Sequence, residues 1–512
     1  MMILSRLTAR QSTNEVFFRG ERKSPWYLVA WGMIGASISG VTFVSVPGMV
    51  LSSQMTYLQM CLGFILGYVL VAFVLLPLFY RLNLTTIYSF LGEVLGREAY
   101  KTGAWFFLLS KMTGAAARFY VVCLVIWQVL WTSAAPHLVQ NTPSSSLPEG
   151  GMWGFCLIVF LMVALIWLYT RRGGIKTLVW TDGLQTLCMF TALALIIYKV
   201  MGQLDMGLAD AARAIIADEH SRVFVFDDWI SRQNFWKQFF SGMFVVIVMT
   251  GLDQDMMQKN LTCRSLRDAQ KDMCTYGLAF VPANLLFLSL GILLVLLAQQ
   301  NNMSIPDAGD QLLPMFAATG ALGQDVLILF LLGLVAASFS SADSALTAMT
   351  TSFCVDILGC PDDERLRRRV HIAMAISFVA VILMFRMANS PSVIDAIYVM
   401  CGYTYGPLLG LFAYAMIQGR FRETEATRSH GVKESRCQDL SHFTLHTPHS
   451  TSHFRHGSAS IPCFISPLLC FALDQFSQYM WNYHFGYELL MLNGLLTFFG
   501  LCIARRIQNI NH

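Results

Sequence analysis

Stretches of apolar residues about as long as a lipid bilayer is thick recur along the whole chain. A membrane-spanning helix needs about 20 mainly apolar residues, and 13% of the 512 residues are charged, against about 25% in soluble domains. The pattern predicts an all-α polytopic membrane protein. The sequence contains about twelve such segments, approximately at 26–52, 55–80, 103–131, 152–170, 177–200, 237–258, 273–299, 325–352, 370–390, 392–417, 461–479 and 483–504.

Lysine and arginine are distributed unevenly between the connecting segments. If the N-terminus lies inside, most of these side chains fall on inside segments, such as 365–369 and the stretch from Lys259 to Lys271. The outside segments hold few, such as Arg213 and Arg232. Because cytoplasmic loops are enriched in Lys and Arg, the distribution predicts that both termini are cytoplasmic and that the chain lies in the cell (inner) membrane.

Motifs of catalytic and metal chemistry are missing from the sequence. The 13 cysteines fall mostly in apolar segments, without disulfide or zinc spacing. No HExxH or GxSxG motif occurs. We therefore expect no enzyme, no organic cofactor, no nucleic-acid partner and no obligate protein partner; the partners expected are the bilayer, an ion and a small molecule.

The eighth apolar segment carries an unusual row of polar side chains. At 100° per residue, Ala337, Ser340, Ser341 and Ser344 share one face, with Asp343 at its edge. Oxygen ligands suit a hard cation such as Na⁺, and ionisable groups inside a membrane are functional candidates. The alternative is small-residue packing between helices, which explains the serines but not the aspartate.

Two apolar segments are interrupted by residues that weaken a helix. The first contains MIGASISGVTFVSVPG (33–48), with several glycines and Pro47, and the sixth contains TGLDQDMMQ (250–258). They stand at matching positions of two five-helix halves, which is the pattern of a secondary transporter with an inverted repeat and a central site. The alternative is that the polar residues only kink both helices.

The same pattern divides the chain into segments. Residues 201–236 include the amphipathic run MGLADAARAIIADEH, which predicts a surface helix, and 300–324 predict a short helical lid. The His-, Ser- and Thr-rich stretch 418–460 predicts a disordered cytoplasmic loop. The predicted organisation is an N-terminal segment (1–24), two half-repeats (25–200 and 237–417) separated by the outer loop (201–236), the inner loop (418–460) and two accessory helices (461–512).

Six stretches in both predicted halves fit one known pattern: FFRGERKSPWYLVAWGMIGASISGVTFVSVPG (Phe17–Gly48), LPLFYRLNLTTIYSFL (Leu76–Leu91), WTDGLQ (Trp180–Gln185), MTGLDQDMMQKNLTCRSLRDAQK (Met249–Lys271), AASFSSADSALTAMTTSFCVDI (Ala336–Ile357) and GYTYGPLLGLF (Gly402–Phe412). With them the chain resembles the sodium:solute symporter family, which has the leucine-transporter-type inverted-repeat fold. Members of that family usually begin with an additional helix, and only MMILSRLTARQSTNE precedes the first matching stretch.

The resemblance implies two places for Na⁺. The family's shared site uses two carbonyls of the first crossing and a carbonyl and two hydroxyls of the eighth, which by match are those of Gly35, Ile38, Ala337, Ser340 and Ser341. A second site, found in some members, is implied at Asp182, Asp343 and Ser344, with Ser340 shared. The competing interpretation of Asp182 is an interior hydrogen-bonding partner.

The resemblance also places the substrate near the two interruptions. On the third crossing it implies that Arg118 binds a carboxylate, as the planar guanidinium fork can; the alternative is that Arg118 pairs with an interior acid while Lys111 snorkels to the cytoplasmic face. The apolar stretch Met60 to Phe64 disfavours a glucose-type substrate. The other candidates for the substrate site are Ser37, Ser39, Thr42, Tyr57, Gln59, Asp253, Gln254 and Asp255.

These features together predict a sodium-coupled symporter that imports a small polar organic solute, such as a sugar, a sialic acid or another organic acid, by alternating access. Two alternatives remain at this stage. One is a transporter-like solute sensor, although we expect no signalling module after the last apolar segment. The other is an inactive transporter copy.

Overall fold

Long apolar helices dominate the computed structural model, which describes residues 13–82, 84–134, 151–306, 309–318, 322–388, 393–429, 458–481, 483 and 485–510. These residues form helices and a single isolated bridge between Ser24 and Cys263. Within the described ranges, nine unbroken helices are long and apolar enough to cross a membrane, and eleven spans result if each of two bent pairs is counted as one. The predicted all-α membrane class is confirmed.

The unbroken helices follow the predicted segments in order. The helix of the tenth crossing, Val393–Ser429, is long enough to cross a membrane but is less apolar than the others, because it contains several tyrosines and glycines. It runs on to Ser429, so part of the predicted loop 418–460 is helical; residues 430–457 lie outside the described part. The helices are Tyr57–Arg81, Arg97–Ala134, Met152–Arg171, Gly174–Gln203, Leu266–Gln300, Gln324–Ile357, Glu364–Ala388, Val393–Ser429, Ser460–Trp481 and Leu489–Ile510.

The first and sixth crossings are each built from two helices that meet at an angle. Trp26–Ser37 and Gly40–Ser53 are bent by 62°, and Phe235–Gly251 and Gln254–Asn260 by 70°. Both predicted interruptions are present. In the first, the chain leaves helical geometry at Ile38, whose ψ is 84°. Pro47 does not contribute to this break, because it lies inside the second helix.

The fourth and fifth crossings meet at Gly174 without a separate loop. Gly174 has a φ of +47° and a ψ of −130°, which is a region that residues with a Cβ rarely adopt. A Cβ at this position would lie 2.6 Å from ring atoms of Phe17. Phe17 belongs to the short N-terminal helix Asn14–Arg19, which is thereby fixed against this turn.

Two short helices lie in the connections predicted to be outside. Leu208–Ala217 is the amphipathic run, and it is mostly exposed, as a surface helix should be. In the second connection Gly309 begins a short turn that packs against the backbone of Gly48, and the helix Leu312–Ala318 follows. The helical part of the predicted lid is therefore present.

The eighth crossing lies at the centre of the bundle. It packs against the first, third, fourth, fifth and ninth crossings. Close approach of the first and fifth crossings depends on Gly35, because a Cβ there would lie 1.9 Å from the Thr186 hydroxyl oxygen. The polar row of the eighth crossing therefore meets the break in the first and the side chains of the fifth.

Candidate ion and substrate site

The break in the first crossing exposes backbone oxygens toward the eighth. The Ser39 amide donates to the carbonyl of Ser37 at 3.0 Å, so it does not bond the Gly35 carbonyl four residues back, as it would in a continuous helix. The Ser341 hydroxyl donates to the Ala36 carbonyl at 3.0 Å and reaches the Ala337 carbonyl at 3.4 Å. Carbonyl and hydroxyl oxygens of the two crossings therefore converge where the first sodium site is predicted.

Ser340 points from the same turn toward the fifth crossing. Its hydroxyl donates to Asp182 Oδ1 at 2.9 Å. Nearby, Asp343 accepts from the Tyr169 hydroxyl at 2.5 Å and from the Ser344 hydroxyl at 3.3 Å. The residues predicted for a second sodium site thus form one buried cluster, which we call the Asp182–Asp343 cluster.

Lys259 also belongs to the Asp182–Asp343 cluster, although it is not among the residues predicted for either sodium site. Its ammonium nitrogen lies 2.7 Å from Asp182 Oδ2, and its side chain is 2% exposed. The prediction that Lys259 lies on an inside connecting segment is wrong, because Lys259 lies on the helix Gln254–Asn260. The sequence signal was available, since this lysine directly follows the interrupted segment.

A second ion pair joins the third crossing to the break in the sixth. The Lys111 ammonium lies 3.1 Å from Asp253 and 2.7 Å from Asp255. The Tyr405 hydroxyl donates to Asp253 at 2.6 Å, and Asp253 caps the helix that follows by accepting from the Asp255 amide at 2.8 Å. The alternative in which Lys111 snorkels to the cytoplasmic face is wrong, because Lys111 is buried and paired.

A cavity adjoins the break in the first crossing. Ser37, Ser39, Thr42, Tyr57, Arg118 and Asp253 line it, as predicted for a substrate site. The remaining wall is largely apolar and includes several aromatic side chains. Within the described part of the chain, Arg118 makes no hydrogen bond or ion pair with an acid, because the acids of the sixth crossing are held by Lys111. The alternative of an interior acid partner for Arg118 is therefore not supported.

Three predicted substrate residues do not line the cavity. Gln59 is fully buried and binds the outer loop, accepting from the Val225 amide at 3.0 Å and donating to the Gln233 carbonyl at 2.9 Å. Gln254 likewise accepts from the amide of Ile87, at 3.0 Å.

Gln254 also donates to the Thr85 carbonyl, at 3.1 Å, and Asp255 is engaged by Lys111. The predictions for Gln59, Gln254 and Asp255 as substrate contacts are corrected accordingly. Polar type and position alone did not distinguish side chains that bind backbone from side chains that face a cavity.

Two broken helices, oxygens converging at one break and an adjoining cavity are the features of a secondary transporter of the leucine-transporter type. The family model described as the sodium:solute symporter family matches residues 17–430. The chain belongs to the sodium:solute symporter family.

Curated relatives include several sodium-coupled cotransporters. The chain is 26% identical to the human sodium/iodide cotransporter over 51% of this chain and 37% of the relative. It is 26% identical to the sodium-dependent multivitamin transporter of Oryctolagus cuniculus over 76% and 59%. It is 22% identical to the sodium/sialic acid symporter NanT of Aliivibrio fischeri over 81% and 80%. The chain thus spans less than two thirds of the length of the first two relatives, 37% and 59%.

Solved structures confirm the fold. A structure of a Na⁺-coupled sialic acid symporter in a substrate-bound outward-open state aligns with a TM-score of 0.74 at 17% identity, over 99% of this chain and 95% of that one. A nucleobase-cation-symport-1 family transporter, Mhp1, in a closed conformation aligns with a TM-score of 0.55 at 13% identity, over 97% and 95%.

Proposed function

We propose that this protein couples downhill Na⁺ entry to the uptake of a small organic acid by alternating access. The observation that carries the proposal is the shared use of one unwound turn. The Ala36 carbonyl faces Ser341 of the eighth crossing, while Ser37 and Ser39, on either side of Ile38, line the cavity. An ion that orders this turn would also order the substrate wall, which is what coupling requires.

Sodium suits the oxygens at this turn. The proposed ligands are the carbonyls of Gly35, Ile38 and Ala337 and the hydroxyls of Ser340 and Ser341. Ser341 already lies within 3.5 Å of two carbonyl oxygens, so modest inward shifts would surround a cation with hard oxygen donors. Ser340 would share its hydroxyl between the ion and Asp182.

A carboxylate suits the cavity. Arg118 is half-buried, and no acid in the described residues forms an ion pair with it. A planar guanidinium binds a carboxylate through two parallel hydrogen bonds. The apolar and aromatic side chains of the wall would pack against the apolar part of the solute. A carboxylate would pair directly with the guanidinium, which an uncharged sugar would not, so we favour an organic acid.

The Na⁺ gradient provides free energy for accumulation. A tenfold Na⁺ gradient contributes about 1.4 kcal/mol per Na⁺ moved, which corresponds to about tenfold accumulation. A membrane potential of 100 mV adds about 2.3 kcal/mol per net charge moved, and this contribution vanishes when one Na⁺ is carried with one monocarboxylate. With both termini in the cytoplasm, as the distribution of basic residues predicts, the protein would act in the cell membrane and release Na⁺ and solute inside, where Na⁺ is scarce.

The proposal is tested by the thermal stability of the purified protein in Na⁺ and in K⁺ at equal ionic strength. The test is repeated with a panel of carboxylates, sialic acids, sugars and amino acids. We expect a Na⁺-specific increase in melting temperature that a carboxylate, and not its amide, increases further, because ligands that bind the native state stabilise it. Equal stability in Na⁺ and K⁺ would favour the inactive copy, and a sugar response would overturn the organic-acid assignment.

A further inference from the structure

We propose that Lys259 is a built-in cation at the place of the second sodium ion, so that this chain binds a single Na⁺. The inference rests on the proposed function and concerns its stoichiometry. It is drawn from the ion pair between Lys259 and Asp182, whose side chains are 2% and 1% exposed.

The carboxylate of Asp182 already has partners at both oxygens. Lys259 lies 2.7 Å from Oδ2, and the Ser340 hydroxyl donates to Oδ1 at 2.9 Å. A sodium ion at Asp182 would need oxygens that these groups occupy. It would also lie beside a buried ammonium group of the same charge, whose side chain is 2% exposed.

Asp343 completes the cluster without a separate cation. Its two oxygens accept hydroxyl groups of Tyr169 and Ser344, and Lys259 is close enough to interact electrostatically with it. The ammonium neutralises the carboxylate of Asp182, with which it is paired, while the carboxylate of Asp343 is held by the hydroxyl groups of Tyr169 and Ser344. Since a buried charge needs a charged partner, Lys259 takes at Asp182 the neutralising role that a second Na⁺ would otherwise have.

Lys259 lies where three crossings meet. It lies on the helix that follows the break in the sixth crossing, whereas Asp182 belongs to the fifth and Ser340 to the eighth. The Asp182 carboxylate therefore joins three crossings through Lys259 and Ser340, and the ammonium, unlike a bound ion, does not leave the protein at the end of a cycle. A single Na⁺ carried with a monocarboxylate moves no net charge.

The test is the number of sodium ions bound per polypeptide, measured by equilibrium binding of radiolabelled Na⁺ to the purified full-length protein without solute. We expect one ion for the unmodified protein, none for Ser341→Ala, and two for Lys259→Met, in which the vacated position beside Asp182 and Asp343 becomes available. In the control Lys259→Met/Asp182→Asn, the carboxylate is neutralised and we expect one ion.

The outcomes separate the two proposals. No bound Na⁺ in the unmodified protein contradicts the sodium-coupled function itself. Two ions in the unmodified protein contradict only the role of Lys259. Because this outcome is measured on the unmodified protein, it does not depend on whether a variant folds. One ion in a monodisperse Lys259→Met protein also contradicts it, because the vacated position would then not bind Na⁺.

Discussion

The hydroxyl oxygen of Ser341 lies 3.0 Å from the carbonyl oxygen of Ala36, so that a side chain of the eighth crossing bonds the freed backbone of the first. These residues are far apart in sequence and belong to opposite halves of the predicted repeat. A cation between them would hold the two halves in one arrangement. The following predictions test this arrangement and its surroundings.

Ser341→Ala should abolish the stabilisation by Na⁺ while the protein stays folded. The variant loses one hydrogen bond, which contributes about 1 kcal/mol to stability, and one oxygen ligand of the proposed ion. The measurement is the melting temperature in Na⁺ and in K⁺. Ser338→Ala is the matched control, because the Ser338 hydroxyl donates to Leu334 within its own helix; it should retain the Na⁺ response. A full response in Ser341→Ala would contradict the site.

Arg118→Ala should weaken binding of the carboxylate identified by the stability panel by about tenfold to a hundredfold. Hydrogen bonds to a charged group contribute about 1.5–3 kcal/mol, and about 1.4 kcal/mol corresponds to a factor of ten. Arg118→Lys should also bind less tightly, since lysine lacks the planar fork. Binding is measured by calorimetry in Na⁺. Lys101→Ala, near the start of the same helix, is the control; equal losses in both variants would count against a specific contact.

Lys111→Met should destabilise the protein by about 3–5 kcal/mol, because it leaves two buried aspartates without their cation. Lys199→Met removes an ion pair with Asp325 in which the Lys199 side chain is 46% exposed and the Asp325 side chain 52% exposed. It should leave the stability almost unchanged, because solvent screens exposed pairs. Both are measured by reversible denaturation in detergent. A similar small effect for both lysines would show that the Lys111 pair does not stabilise the fold.

Gly35→Ala should destabilise the protein by about 1–3 kcal/mol, which is typical of overpacking. Its Cβ would lie 1.9 Å from the Thr186 hydroxyl oxygen, forcing the first and fifth crossings apart at the ion site. Gly202→Ala, with no heavy atom within 4 Å of the added Cβ, should be neutral or slightly stabilising in the same denaturation experiment. We also expect Gly35→Ala to weaken the Na⁺ response, and an unchanged response would separate packing from ion binding.

Segment-level features followed directly from the sequence. Apolar runs long enough to cross a bilayer predicted the helices, since backbone groups in lipid must bond within their own segment. The interruptions in the first and sixth crossings were visible because glycine and polar residues at membrane depth disrupt helices. The Ser341 face was predicted for the same reason: hydroxyls beside an acid are costly in hydrocarbon.

Side-chain roles within the bundle depended on the tertiary structure. Gln59 on the second crossing and Gln254 at the break of the sixth are both polar, yet both bind backbone of other segments and do not line the cavity. Pro47 lies inside the helix Gly40–Ser53, and the break in the first crossing lies at Ile38 instead. Sequence spacing does not define which neighbouring helix faces a side chain.

The sequence by itself determined the membrane class, the broken pair of helices and the family, because these depend on local composition and on motifs within single segments. Only the tertiary structure decided that Lys259 faces Asp182 and that Lys111 holds Asp253 and Asp255. The physical reason is that a charge in a low-dielectric interior must find its partner across the bundle, and the partner's position depends on how separate helices pack.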